Sequence, residues 1–374
     1  MFPLAFSIAV CLGDEEIIGI LFACTAMFFV PTDKFEKAMP VYGTFIIIGY
    51  TYFHHLKDFA RTGAFFGSFL ICGILLIASS FFYEKLKALF ASPAVSGVML
   101  ATALTVTVLF TTDYFGIGAT GNTVSEMIAS YVSLGFHPNW RGVLYGTIVM
   151  VIMITLPRKF KKFSKTVSAS FIALAATLLL NLALNPADMT TSITEITDGT
   201  KRHLLAVLFG EIACVEAENI IYSIPSGIAM FLVSFYAISQ NEKTQKNDYI
   251  IAGAANAAVG ALTCFPLPYG TKKKSFLPGI TAAAITLLMM YFGEDFILRI
   301  PLHSCAVVLI VGAWQSMKWG ELKKAFSGIL PIACFTACLL SCLVVDFVHG
   351  ILISFVISLI FTAFSGSSKV LKKS

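Results

Sequence analysis

Polar residues punctuate this chain in clusters, and long stretches between them are apolar on every face. Runs such as "FFGSFLICGILLIASSFFY", "GVLYGTIVMVIMITL", "TVSASFIALAATLLLNLAL" and "GILISFVISLIFTAF" approach the length that crosses a bilayer. A helix needs about 20 residues to span roughly 30 Å of hydrocarbon. With Pro, Gly and charge as breaks, segments fall near 1–13, 17–31, 40–55, 64–83, 92–111, 139–156, 167–184, 222–239, 249–264, 266–275, 277–292, 301–317, 328–345 and 349–364. The expectation is an all-α polytopic membrane protein with about 13–14 transmembrane segments. The longest polar stretch, 185–202, leads into "HLLAVLFGEIACVEAENIIY", whose Glu211, Glu216 and Glu218 suit an interfacial helix better than a span.

Composition agrees with that pattern. Hydrophobic residues make up 57% and charged residues 13% of 374 residues, about half the charge a soluble surface needs. The opening "MFPLAFSIAVCLGDEE" has no basic leader and no small-residue cleavage site. Its apolar part is short for a span, so a truncated first helix is expected.

Charge tests the segment count independently. With alternating spans and a cytoplasmic N-terminus, all of the 26 Lys and Arg fall on the inner side except Lys57, Arg61, Arg141, Lys201, Arg202 and Arg299. That is the bias of the positive-inside rule. Removing one span would flip everything after it and scramble the asymmetry. The reading places the protein in the cell (inner or plasma) membrane, with a cytoplasmic C-terminus.

The chain also echoes itself. "AMPVYGT" at 38–44 returns as "PLPYGT" at 266–271, "GDEEIIGILFACTAMFF" resembles "NDYIIAGAANAAVGALT", and "SPAVSGVMLATAL" has a looser match in "IPLHSCAVVLIVGA". Seven spans then repeat, and an odd number inverts the second half in the membrane. Inverted repeats are a common transporter architecture, with substrate held near the midplane where broken helices meet. The expected domains are a first repeat over 1–184, an outer loop with an interfacial helix over 185–221, a second repeat over 222–364 and a basic tail over 365–374.

The two echoing stretches read either as ordinary loop-to-helix starts or as a paired anion cradle. Proline starts a helix at no hydrogen-bond cost, and glycine lets backbone N–H groups approach a ligand. Two helix N-termini facing each other present partial positive charge. Tyr42, Gly43, Thr44, Tyr269, Gly270 and Thr271 would then line the site, the tyrosines and threonines adding hydroxyls.

The chain resembles the SulP-type sulfate permeases and inorganic anion transporters, relatives of the nucleobase permeases. "FPLAFSIA", "SPAVSGVMLATALTVTVLF", "LPRKFKK", "DYIIAGAANAAVGALTCF" and "IPLHSCAVVLIVGAWQSMKWGELKKAF" carry the resemblance, in family order. It implies seven plus seven inverted helices, a core domain moving against a gate domain, a homodimer, and an anion site between spans 3 and 10. Carried over, that site falls on Val41, Tyr42, Gly43 and Thr44. Leu4 and Ile8, near Phe6, would contribute from span 1, and the surroundings of Met230 and Ser234 from span 8. The family's span 10 serine and arginine land on Lys272 and Lys273, which read equally well as members of a cytoplasmic loop.

Three departures qualify the expectation. Span 10 is shortened to "KSFLPG" after Lys273, the family's C-terminal regulatory domain has no counterpart in "SGSSKVLKKS", and "MFLVSFYAISQ" carries no carboxylate in span 8. A buried carboxylate is the usual cation-coupling handle, so exchange-like or uncoupled transport is expected. The substrate class is sulfate, bicarbonate or chloride. The alternatives are a nucleobase (uracil or xanthine) permease of the same fold and a non-transporting degenerate membrane protein. His54, His55, His137, His203, His303 and His349 all fall at the outer face without metal spacing. Cys334, Cys338 and Cys342 share one helical face and read as a packing stripe. No catalytic set, cofactor site, metal site or nucleic-acid patch is expected; membrane lipid and a small inorganic anion are the expected partners.

Overall fold

The computed structural model describes residues 7, 11, 44, 46–51, 60–121, 123–160, 168–184, 217–239, 245–261, 299–317 and 319–371. Its elements are α-helices: α1 (Ala60–Ser79), α2 (Tyr83–Lys87), α3 (Ser92–Phe115), α4 (Val124–Leu134), α5 (Trp140–Lys159) and α6 (Ala169–Leu184). They continue with α7 (Ala217–Ser239), α8 (Lys246–Ala261), α9 (Leu302–Ser316), α10 (Trp319–Ala325), α11 (Ile329–Val344) and α12 (Phe347–Leu371). Four of them hold membrane-length apolar stretches: Ser92–Phe115, Trp140–Lys159, Ile221–Ser239 and Phe347–Phe364.

Helix limits follow local chemistry. Pro93 sits in the first turn of α3, where a missing N–H costs nothing, and Gly116 closes the helix in the left-handed region at φ 67°. Asn139 caps α5 by accepting from the Gly142 N–H at 3.3 Å. α3 runs four residues beyond the span expected at 92–111 and takes in Asp113. α4 falls between the segments expected at 92–111 and 139–156. α7 starts at Ala217 instead of 222, and α12 continues to Leu371, through part of the expected tail.

The directions of packed helices test the alternation of spans. His303 Nδ1 at the start of α9 bonds the Asp113 carbonyl at the end of α3 (2.6 Å), so these two are antiparallel. Gly142 and Gly146 of α5 lie against His303 and Val307 of α9, making that pair parallel. Gly97 of α3 meets Phe335 and Cys338 of α11 in parallel, and Gly350 of α12 meets Cys342 of α11 head to tail. Gly67 and Gly227 bring α1 and α7 together in parallel, whereas Gly73 and Gly253 cross α1 with α8 in antiparallel fashion. Every one of these directions matches the alternation expected from charge. α6 ends and α7 begins at the His303 end of the bundle, as do the end of α8 and the start of α9.

The packing is also symmetric by inversion. α3, α5 and α6 run opposite to α9, α11 and α12 respectively. α3 packs on α11 and α12 as α9 packs on α5 and α6, and α11–α12 contact mirrors α5–α6 contact. The chain is thus built on the seven-plus-seven inverted plan. Two groups of helices result, a gate formed by α3, α5, α6, α9, α11 and α12, and a core containing α1, α7 and α8. Close approach through Gly73, Gly97, Gly253 and Gly350 is how helices associate in lipid, where no hydrophobic drive separates them from the solvent.

Candidate functional site

The core meets the gate where α7 faces α3 and α12. At the Phe90 end this boundary is aromatic: Phe90 stacks on Phe235 (centroids 5.4 Å, interplanar 22°) and lies 5.3 Å from Phe355. Phe235 in turn stacks on Tyr249 of α8 at 4.9 Å. Beside this cluster is a half-open cleft between α3, α7 and α12, walled among others by Val95, Val98, Met99, Leu232, Tyr236 and Phe355.

The serine and threonine hydroxyls along the cleft are turned to backbone. Thr102 Oγ1 donates to the Val98 carbonyl (2.8 Å), Ser354 Oγ to Gly350 (2.7 Å), and Ser358 Oγ to Leu89 (2.9 Å). Those walls are largely apolar. In the membrane-length helices the carboxylates lie in terminal turns, Asp113 in α3 and Glu218 in α7. Asp113 was missed because the sequence reading ended span 5 before it; a helix continuing for one more turn past Thr111 and Thr112 was the available signal.

Of the candidate site residues, Thr44 and Ser234 are described. Thr44 is helical and fully buried, followed by the buried Ile46, Ile47, Ile48 and Tyr50. Tyr50 meets Phe110 of α3 edge-on at 5.9 Å, which seats the span 3 segment against the gate. Ser234 is buried on α7 and receives the Cys72 thiol of α1 at 3.9 Å, and Met230 is buried one turn earlier. Ser234 therefore faces another core helix in this structure. Phe6, Val41, Tyr42, Gly43, Tyr269, Gly270, Thr271, Lys272 and Lys273 lie outside the described residues, as do Leu4 and Ile8.

The remaining polar groups are structural. His303 is 5% exposed and is held between the Asp113 carbonyl and Gly142. His349 pairs separately with Asp346 at 3.0 Å. Burial raises the Tyr131 phenol above its ordinary range, keeping it a donor to the Val108 carbonyl at 2.9 Å. Cys338 and Cys342 direct their thiols at Ser354 (3.7 and 3.6 Å), which makes the cysteine stripe a helix-packing seam. Among the described residues no cluster of His, Cys, Asp or Glu could hold a metal ion.

No family model and no curated protein sequence matches the chain. Solved structures do match. The transmembrane domain of BicA, a bicarbonate transporter of a cyanobacterium, aligns with TM-score 0.59 and 16% identity over 97% of this chain and 93% of its own. The overall structure of SLC26A9 aligns with TM-score 0.63 and 11% identity over 97% of this chain. The murine Slc26a9 anion transporter in its inward-facing state gives TM-score 0.62 and 11% identity over 98%. The chain spans 63% and 66% of the length of those last two. The fold is that of the membrane domain of these transporters.

Proposed function

We propose that this integral membrane protein is a secondary transporter of small inorganic anions of the sulfate, bicarbonate or chloride class. The core carries the anion past the gate by alternating access. The observation that carries this reading is the inversion-symmetric packing of the gate helices, joined to the core across a boundary with apolar walls. The fold shared with bicarbonate and anion transporters supports it.

The anion is held between the starts of spans 3 and 10, by backbone N–H groups near Val41, Tyr42, Gly43 and Thr44 and near Tyr269, Gly270 and Thr271. Lys272 and Lys273 supply charge in place of a bidentate arginine fork. Transport is exchange-like or uncoupled, because the membrane-length helices among the described residues carry carboxylates only in their end turns. A homodimer with both C-termini in the cytoplasm completes the proposal.

Thermal unfolding of the purified chain in detergent tests it. Sulfate, bicarbonate and chloride are compared with uracil and xanthine, all at matched ionic strength. A ligand at about 100 times its dissociation constant stabilises the native state by roughly 2.7 kcal/mol. Stabilisation by one or two anions supports the proposal. Stabilisation by a nucleobase alone would replace it with the permease alternative.

A further inference from the structure

The segment between α3 and α5 holds a helix that neither the span pattern nor the transport reading uses. α4 has eleven residues, "VSEMIASYVSL", and at about 1.5 Å per residue it is too short to cross a bilayer. Thr123 caps it by accepting from the Glu126 N–H at 3.2 Å. It is tied to the gate on one side, where Met127 is fully buried and Tyr131 donates to the Val108 carbonyl of α3. The flank beside that buried face is apolar and open: Ile128 is 49% and Val132 78% exposed. Ser125, Glu126, Ala129, Ser133 and Leu134 are the other exposed residues of the helix.

We propose that α4 lies in the membrane–water boundary at the His303 end of the bundle, with Ile128 and Val132 in contact with lipid hydrocarbon. The chain that leaves α4 carries exposed aromatic residues towards α5. Phe115 meets Phe136 edge-on at 5.2 Å, and Phe136 meets Trp140 at 6.5 Å. Trp140 is 69% exposed and opens the row of exposed apolar residues that continues down α5 with Leu144 and Val151. Aromatic residues in this position mark the interfacial belt of membrane proteins, and a short helix with one apolar flank and one polar face lies in that plane. α4 has no basic residue, so zwitterionic lipid suffices and anionic headgroups are not what holds it.

The inverted repeat supplies a second instance. α10 occupies the corresponding place between α9 and α11 at the opposite end, with Trp319 at its start and Phe326 just past its end exposed. Because α4 packs on both α3 and α11, its insertion fixes the depth of two gate helices in the bilayer.

Nitroxide labels on the full chain in phosphatidylcholine vesicles test this without any transport assay. One label is placed through Val132→Cys and one through Glu126→Cys, with the unsubstituted chain as the blank for native thiols. The label at 132 is expected to be relaxed severalfold more by oxygen than by a water-soluble nickel chelate, and the label at 126 the reverse. Strong relaxation by nickel at 132 would put α4 in water and overturn the proposal. Weak relaxation by both reagents there would mean that protein covers the flank, and would overturn it equally. Ile128→Cys reports the same flank if the Val132 variant does not fold. Neither outcome bears on anion binding, so this proposal and the transport reading fail separately.

Discussion

The His303 ring occupies the space where a side chain on Gly142 would begin, and its Nδ1 reaches the Asp113 carbonyl at 2.6 Å. Three gate helices, α3, α5 and α9, thus meet through one imidazole and one missing methyl group. Adding that methyl forces the buried ring away from its acceptor. Gly142→Ala is expected to destabilise the protein by about 1–3 kcal/mol, the usual cost of overpacking, measured as a lower midpoint of thermal unfolding in detergent. Combining it with His303→Ala removes the clash, so the double variant should lose less than the sum of the two single losses. A strictly additive pair would mean that ring and glycine do not press on one another. None of this was legible in the sequence, where His303 was one of six outer-face histidines and Gly142 an unremarked residue near a span start. Contacts between residues so far apart in the chain depend on helix rotation, which an all-round apolar run does not encode.

Among elements, α3 shows both what the pattern of apolar runs fixes and what it leaves open. Its start at Ser92 was legible from Ser-Pro, because proline marks a first turn. Its end was not, since the expected span stopped at 111, just before Thr112 and Asp113, whereas the helix continues to Phe115 and stops at Gly116. α4 was not legible because its eleven residues, broken by Ser125, Glu126, Ser130 and Ser133, hold no apolar run of span length. The N-terminus of α3 is also served from outside. Ala91 has no side-chain acceptor to cap it, and Ser358 of α12 braces the turn that leads into the helix, accepting from the Ala91 N–H at 2.6 Å and donating to the Leu89 carbonyl. Ser358→Ala should cost about 1–2 kcal/mol, the range of a lost cap with a buried partner left unpaired. Thermal unfolding reads that loss, and an unchanged midpoint would show that water or a neighbour replaces the hydroxyl.

For the whole molecule, the inverted plan was legible because two weak periodic features, the PYGT-like echoes and the lysine asymmetry, had to agree across the entire chain. For the site the sequence offers a candidate location, most of which lies outside the described residues. The residues that carried the resemblance mark spans, while the chemistry of an anion cradle rests on backbone groups whose placement no side-chain motif specifies. Ser234 illustrates the limit: its position on span 8 was foreseen, but it faces Cys72 of α1. The boundary between core and gate offers a direct prediction. Val98 lines the cleft between α3, α7 and α12, so Val98→Trp fills the space into which the core would move. Anion flux should fall at least severalfold while the thermal midpoint is retained or raised; normal flux would place the moving boundary elsewhere.

The central claim is transport, and counterflow in vesicles tests it most directly. Purified protein is reconstituted into phosphatidylcholine liposomes loaded with unlabelled sulfate, bicarbonate or chloride, and uptake of the labelled anion is followed without any sodium or proton gradient. Uptake that proceeds without either gradient and is absent from protein-free vesicles is the expected result, with a requirement for the internal anion marking exchange and its absence uncoupled transport. Uptake driven only by an imposed sodium or proton gradient would contradict the exchange mechanism. No flux of any of the three anions, alongside measurable uptake of labelled uracil, would contradict the anion reading itself.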